Sequence, residues 1–120
     1  MRTYLRGRIN SFKPAFRGIF SLIRLEKNAF IHLIATIVVI LVSFWLHIAL
    51  YEWLWIILSI TLVWLTELFN TAIEKLCDLI NSETHPQIKI IKDLSAGAVL
   101  VSALFAVFTA LIIFLPRIIS

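Results

Sequence analysis

Three long apolar runs, Ala29–Leu50, Trp53–Thr66 and Gly97–Leu115, decide what this chain can fold into. At about 1.5 Å of rise per helical residue, each is long enough, or nearly so, to cross a hydrocarbon layer about 30 Å thick. The second run continues past Thr66 into a helix studded with polar residues. With 61% of 120 residues hydrophobic, 15% charged and a mean hydropathy of +0.98, the chain lacks the polar surface that a soluble domain of this size requires. Backbone facing lipid must satisfy its own hydrogen bonds, which favours helices throughout. The expectation is a single domain over 1–120, an all-α integral membrane protein with transmembrane helices at about 29–50, 53–79 and 96–116. No secretory leader is expected, and the single cysteine, Cys77, reads as a small apolar residue on a helix.

The basic residues predict an orientation. Arg2, Arg6, Arg8, Lys13, Arg17, Arg24 and Lys27 precede the first span, whereas His47–Glu52 contains neither Lys nor Arg. Lys75, Lys89 and Lys92 lie at or beyond the end of the second span, and Arg117 alone falls on the opposite side. The N-terminus and the Asn81–Ser95 loop are therefore expected in the cytoplasm, and the C-terminus outside. The net charge of +4 suits anionic lipid, and no nucleic-acid partner is expected.

Ahead of the first span, Phe12, Phe16, Ile19, Phe20 and Ile23 repeat with helical spacing, while Lys13, Arg17 and Arg24 take the other side. This predicts an amphipathic surface helix over about 12–26, with Pro14 in its first turn and residues 1–10 frayed or resting on headgroups. A cap packed on the other helices is the alternative. In the third span Ala98, Ser102, Ala106 and Ala110 form a small-residue stripe suited to close helix packing. Three spans make a thin bundle, so some of that packing is expected between subunits.

The second helix carries the expensive residues. Glu67, Asn70, Glu74 and Asp78 stand at i, i+3, i+7 and i+11, on one helical face, with Thr71 beside them. Glu67 follows fourteen uncharged residues. A carboxylate inside the hydrocarbon costs about 2.5–3.5 kcal/mol on insertion scales unless it meets water, a cation or a partner. Snorkelling at a helix end explains Lys75 and Asp78, but explains the deeper Glu67 and Asn70 poorly. Glu26 is the only acid in the first 27 residues. Glu26, Glu74 and a nucleotide phosphate would suit Mg2+, which prefers one or two carboxylates with phosphate oxygens. Lys92-Asp93 is expected just before the third helix, with Lys92 and helix-start amides facing phosphate and Asp93 either a helix cap or a site residue. The chain contains no G-x-x-x-x-G-K-[ST] or G-x-G-x-x-G motif.

The run Glu67-Leu-Phe-Asn-Thr-Ala-Ile-Glu74, then Asp78, then Lys92-Asp93-Leu-Ser-Ala-Gly-Ala98, closely resembles the signature of the prokaryotic diacylglycerol kinase family, which includes undecaprenol kinases. The resemblance extends upstream through Ser11-Phe-Lys-Pro-Ala-Phe-Arg-Gly18, Glu26-Lys-Asn28 and Ile31-His32. Many relatives carry a basic residue where this chain has Phe30.

The resemblance implies an ATP- and Mg2+-dependent lipid kinase of the bacterial inner membrane, a homotrimer whose active sites form between subunits. It implies Glu67 as general base toward the lipid hydroxyl, Asn70 as its orienting neighbour, and Glu26 and Glu74 as ligands of the nucleotide-bound metal. Lys92 would contact the phosphates and Asp93 the nucleoside, with Glu83 and His85 in a loop over the nucleotide. Diacylglycerol is the first expected substrate and undecaprenol the alternative, which Asn28 and His32 favour. An ion-conducting protein or a non-catalytic scaffold are the distant readings. The sparse polarity of Trp53–Val63, with only Ser59 and Thr61, argues against an ion path.

Overall fold

The computed structural model describes residues 1–80 and 85–120, in which every regular element is an α-helix. These are α1 (Arg2–Leu25), α2 (Lys27–Trp45), α3 (Leu50–Ile80) and α4 (Pro86–Ile119). The last three are long and apolar enough to cross a membrane. Their outward faces stay apolar in the chain taken alone, with Ile34, Val38, Leu54, Ile57, Leu100 and Leu104 all exposed. Water penalises such surfaces and lipid does not.

Helix α1 starts ten residues before the expected surface helix, and Pro14 lies in its interior rather than its first turn. Contacts one turn apart explain the extension: Arg8 Nε donates to Tyr4 Oη at 3.1 Å, and Ser11 Oγ donates to the Gly7 carbonyl at 2.9 Å. Glu26 separates α1 from α2 with extended backbone (φ −111°, ψ 121°), its N–H still reaching the Leu22 carbonyl at 3.0 Å. Leu22 is buried where α1 meets the other helices, while Phe12, Phe16 and Phe20 are exposed.

The first apolar helix ends at Trp45 rather than near residue 50, because a tight turn centred on His47 interrupts the apolar run. His47 takes a left-handed conformation (φ 52°), and the Ile48 N–H turns back to the Ser43 carbonyl at 3.4 Å. No Gly or Pro marks this turn. Side chains hold it instead: Glu52 accepts from the Ala49 N–H at 2.8 Å, one half of a capping box, and also pairs with Arg117 from the end of α4. Ile48, Ile56 and Ile113 pack beside this clasp, with Val39, Trp53 and Phe114 around them.

Helix α4 begins at Pro86, ten residues before the expected third span. Proline is pre-organised for a first helical turn, and His85 Nδ1 caps the helix by accepting from the Gln87 N–H at 3.1 Å. Lys92 and Asp93 therefore lie inside α4. Asp93 is not a helix cap, and the amides beside Lys92 are not helix-start donors, contrary to the sequence expectation.

The pairing of α3 with α4 is the most extensive in the bundle. Thr66 Oγ1 and Ser102 Oγ meet at 2.8 Å between them. Each hydroxyl also lies within reach of its own helix backbone, at Leu62 and at Val99, so one can turn its proton inward while accepting across the gap. A double-mutant cycle of Thr66→Val and Ser102→Ala, followed by unfolding in mixed micelles, is expected to give a coupling of about 0.6 kcal/mol and no more than about 1.7. Arg117→Leu leaves the Glu52 carboxylate without its cation and should lower stability by about 1–3 kcal/mol in the same assay.

Candidate active site at the basic end

One end of the bundle gathers the α1–α2 junction, the last turns of α3 and the first turns of α4, and with them most of the titratable groups. Glu67 is 4% exposed, more deeply buried than any other carboxylate among the described residues. Its Oε1 meets His32 Nε2 of α2 at 2.9 Å. With Glu67 ionised the carboxylate can only accept, so Nε2 then carries the proton and donates. One turn deeper, Trp64 Nε1 donates to Thr36 Oγ1 at 3.0 Å, and Thr36 Oγ1 lies 2.7 Å from the His32 carbonyl. The pairs 32–67 and 36–64 run antiparallel and brace α2 on α3.

Asn70 joins α3 to α4. The buried Ser95 Oγ donates to Asn70 Oδ1 at 2.7 Å, while Asn70 Nδ2 donates to Glu74 Oε1 over a longer 3.3 Å. The opposite amide orientation would set Oδ1 against the Glu74 carboxylate, so the network itself dictates which way Asn70 points.

Farther out the contacts are exposed. Lys92 Nζ donates to Asp78 Oδ1 at 2.8 Å, and Lys89 Nζ to Asp93 Oδ2 at 2.7 Å. Exposed pairs of this kind contribute little to stability and exchange partners readily. His85 is occupied at Nδ1 by its capping role. Glu26 is half-buried at the α1–α2 junction and, among the described residues, makes no side-chain hydrogen bond to the α3 row. Glu83 lies outside the described residues.

The fold thus brings Glu67 to His32, Asn70 to Glu74 and Ser95, and Lys92 to Asp78. Among the described residues, Glu26 makes no side-chain hydrogen bond to the row, and Asp93 pairs with Lys89 instead. Among the described residues, no cluster of three or more His, Cys, Asp or Glu side chains could hold a metal ion within the chain.

Two further features border the row. Among the described residues, Thr71 Oγ1 is buried without a partner, beside a cavity of about 290 Å³ between α1 and α3 lined by Gly18, Ser21, Leu68 and Lys75. A second cavity of about 230 Å³ runs from His32 past Thr36 and Val39 toward Ala106 and Ala110. Sequence reasoning missed Ser95 and the partner of His32. Ser95 sits three residues before Ala98, so extending the small-residue stripe by one turn would have reached it. No local pattern links residues 32 and 67.

The family model described as prokaryotic diacylglycerol kinase matches residues 13–114. The undecaprenol kinase of Bacillus subtilis (strain 168) is 40% identical over 116 residues, a match spanning 97% of this chain and 94% of the relative. The diacylglycerol kinase of Synechocystis is 34% identical over 111 residues, covering 92% of this chain and 63% of the relative. That of Escherichia coli (strain K12) is 33% identical over 76 residues, covering 63% of this chain and 62% of the relative. Each of the two diacylglycerol kinases is thus matched over less than two thirds of its length. The chain belongs to the prokaryotic diacylglycerol kinase family and is an enzyme of the lipid-kinase class.

Proposed function

We propose that this protein transfers the γ-phosphoryl group of ATP, with Mg2+, to the hydroxyl of undecaprenol, with diacylglycerol as the second reading. The observation that carries the chemistry is Glu67, a carboxylate 4% exposed in an otherwise apolar stretch of helix. The order of the two substrates reverses the sequence expectation. The undecaprenol kinase is matched along 94% of its length, against 63% and 62% for the two diacylglycerol kinases, and Asn28 and His32 point the same way.

In this reading Glu67 accepts the proton of the lipid hydroxyl as that oxygen bonds to the γ-phosphorus and ADP departs. Asn70, held by Ser95, orients the groups around the base and the lipid hydroxyl. Glu26 and Glu74 are the ligands for the divalent cation and border the nucleotide. Their chemistry fits, since hard carboxylate oxygens suit Mg2+ and the long 3.3 Å contact from Asn70 is a weak competitor for Glu74. When bound with the nucleotide, the cation neutralises charge on the β- and γ-phosphates. Lys92 exchanges Asp78 for phosphate, and Asp93 leaves Lys89 to meet the nucleoside. His85 offers Nε2, since Nδ1 caps α4. Glu83 is assigned a contact with the nucleotide.

The assembly belongs to this proposal too. Among the described residues, Glu26 and Asp93 make no side-chain hydrogen bond to the α3 row, and the spans carry broad apolar faces, which supports a homotrimer with sites shared between subunits. The exposed Phe12, Phe16 and Phe20, with Lys13 and Arg17 beside them, support α1 as an amphipathic helix at the headgroups. The basic residues support a bacterial inner-membrane location, with the N-terminus and the α3–α4 connection in the cytoplasm and the C-terminus outside. The whole of 1–120 acts as one domain.

Purified protein in detergent, given ATP, Mg2+ and each alcohol in turn, should phosphorylate undecaprenol with the higher kcat/KM. A preference for diacylglycerol would exchange the two readings, and no product with either would defeat the kinase proposal. Glu67→Gln keeps the volume and removes the proton acceptor, so turnover should fall by at least about 100-fold with the oligomer intact. Glu74→Ala should raise the Mg2+ concentration needed for half-maximal activity or abolish activity, which a metal titration reads directly.

A further inference from the structure

Glu67 has two carboxylate oxygens, and the structure gives them different surroundings. Oε1 is 2.9 Å from His32 Nε2. Among the described residues, Oε2 has no hydrogen-bond partner. His32 is itself fixed along its length. Its ring is mostly buried, with 23% of the side chain exposed, and its carbonyl accepts from Thr36, which Trp64 ties to α3 three residues before Glu67. Side chain and backbone of one residue are therefore both referenced to the helix that carries the carboxylate.

We propose that His32 is a positioning residue for the reaction, one that occupies Oε1 of Glu67 and so presents Oε2 as the oxygen receiving the proton of the lipid hydroxyl. The proposal rests on the reading of Glu67 as the base. A free glutamate rotates about its side-chain torsions and offers either oxygen in many directions. An Nε2–H bond to Oε1 removes that freedom and aims the remaining oxygen in one direction. His32 also stands at the mouth of the cavity running between α2, α3 and α4 toward Ala110. The ring thus borders both the carboxylate and the apolar space beside it. In the reaction, the hydroxyl proton passes to Oε2, the lipid oxygen bonds to the γ-phosphorus and ADP leaves. The imidazole keeps its Nε2 proton throughout, so no additional donor or acceptor is needed.

The test compares His32→Leu, His32→Gln and Glu67→Gln in the full-length protein, each confirmed by size-exclusion chromatography to elute as the wild type does. Turnover with ATP and a lipid alcohol is measured over a range of both substrates. Because a misplacement of about 1 Å can cost about 100-fold, His32→Leu should lower kcat by about 10- to 100-fold, with KM for either substrate changed by less than about twofold. His32→Gln retains an N–H donor of similar reach and should recover most of that loss. In a Glu67→Gln background, adding His32→Leu should remove little further activity.

Wild-type kcat in His32→Leu would overturn the proposal while leaving Glu67 as base, provided Glu67→Gln is inactive. An equal loss in His32→Leu and His32→Gln would overturn it as well, because the donor would then not be the active element. Turnover by Glu67→Gln close to wild type would overturn the base assignment and this proposal together.

Discussion

The rest of this structure is arranged around one buried carboxylate. Glu67 lies in a helix whose preceding turns are apolar, where an unpaired charge is heavily disfavoured. The fold answers with an imidazole from α2, and that contact needs its own support, which Thr36 and Trp64 provide. Two polar links one turn apart therefore set the position of α2 on α3. Between α3 and α4 the same device recurs, with Ser95–Asn70 and Thr66–Ser102 spaced along the seam. In lipid the burial of apolar groups does not drive helices together, so packing and polar contacts of this kind carry the specificity of pairing.

Much of this was legible in the sequence because the bilayer restricts what apolar runs can become. The existence of three spans and the common face of Glu67, Asn70, Glu74 and Asp78 follow from composition and from the helical repeat. Helix limits were less legible. The turn at Leu46–Ala49 carries no Gly or Pro, has His47 as its one polar residue and is held by a glutamate three positions along, so hydropathy ran straight through it. The start of α4 is set by His85-Pro86, ahead of the apolar stretch, which moved Lys92 and Asp93 from a loop into a helix. Partners across helices were the least legible. Residues 32 and 67, or 70 and 95, share no local pattern, and only the three-dimensional register joins them.

The basic end divides into two electrostatic layers. Glu67, Asn70 and Ser95 form an inner layer with short, shielded contacts. Asp78, Lys89, Lys92 and Asp93 form an outer layer of solvated ion pairs whose exchange is inexpensive. A site that must hold its reacting group rigidly and yet admit and release a highly charged nucleotide is well served by this division. The inner layer keeps its geometry, while the outer layer can trade an intramolecular carboxylate for a phosphate without large change in energy.

The clasp at the opposite end has a bearing on how the bundle moves. Glu52 holds both the first turn of α3 and the last turn of α4, beside a tight turn and the Ile48–Ile56–Ile113 cluster. Thr66–Ser102, Asn70–Ser95 and Asp78–Lys92 continue that attachment along the seam, so α3 and α4 form one stiff pair from the clasp to the basic end. Helices α1 and α2 rest on this pair through smaller contacts. An adjustment in the angle of α1 or at the Glu26 junction can therefore leave the α3–α4 seam untouched.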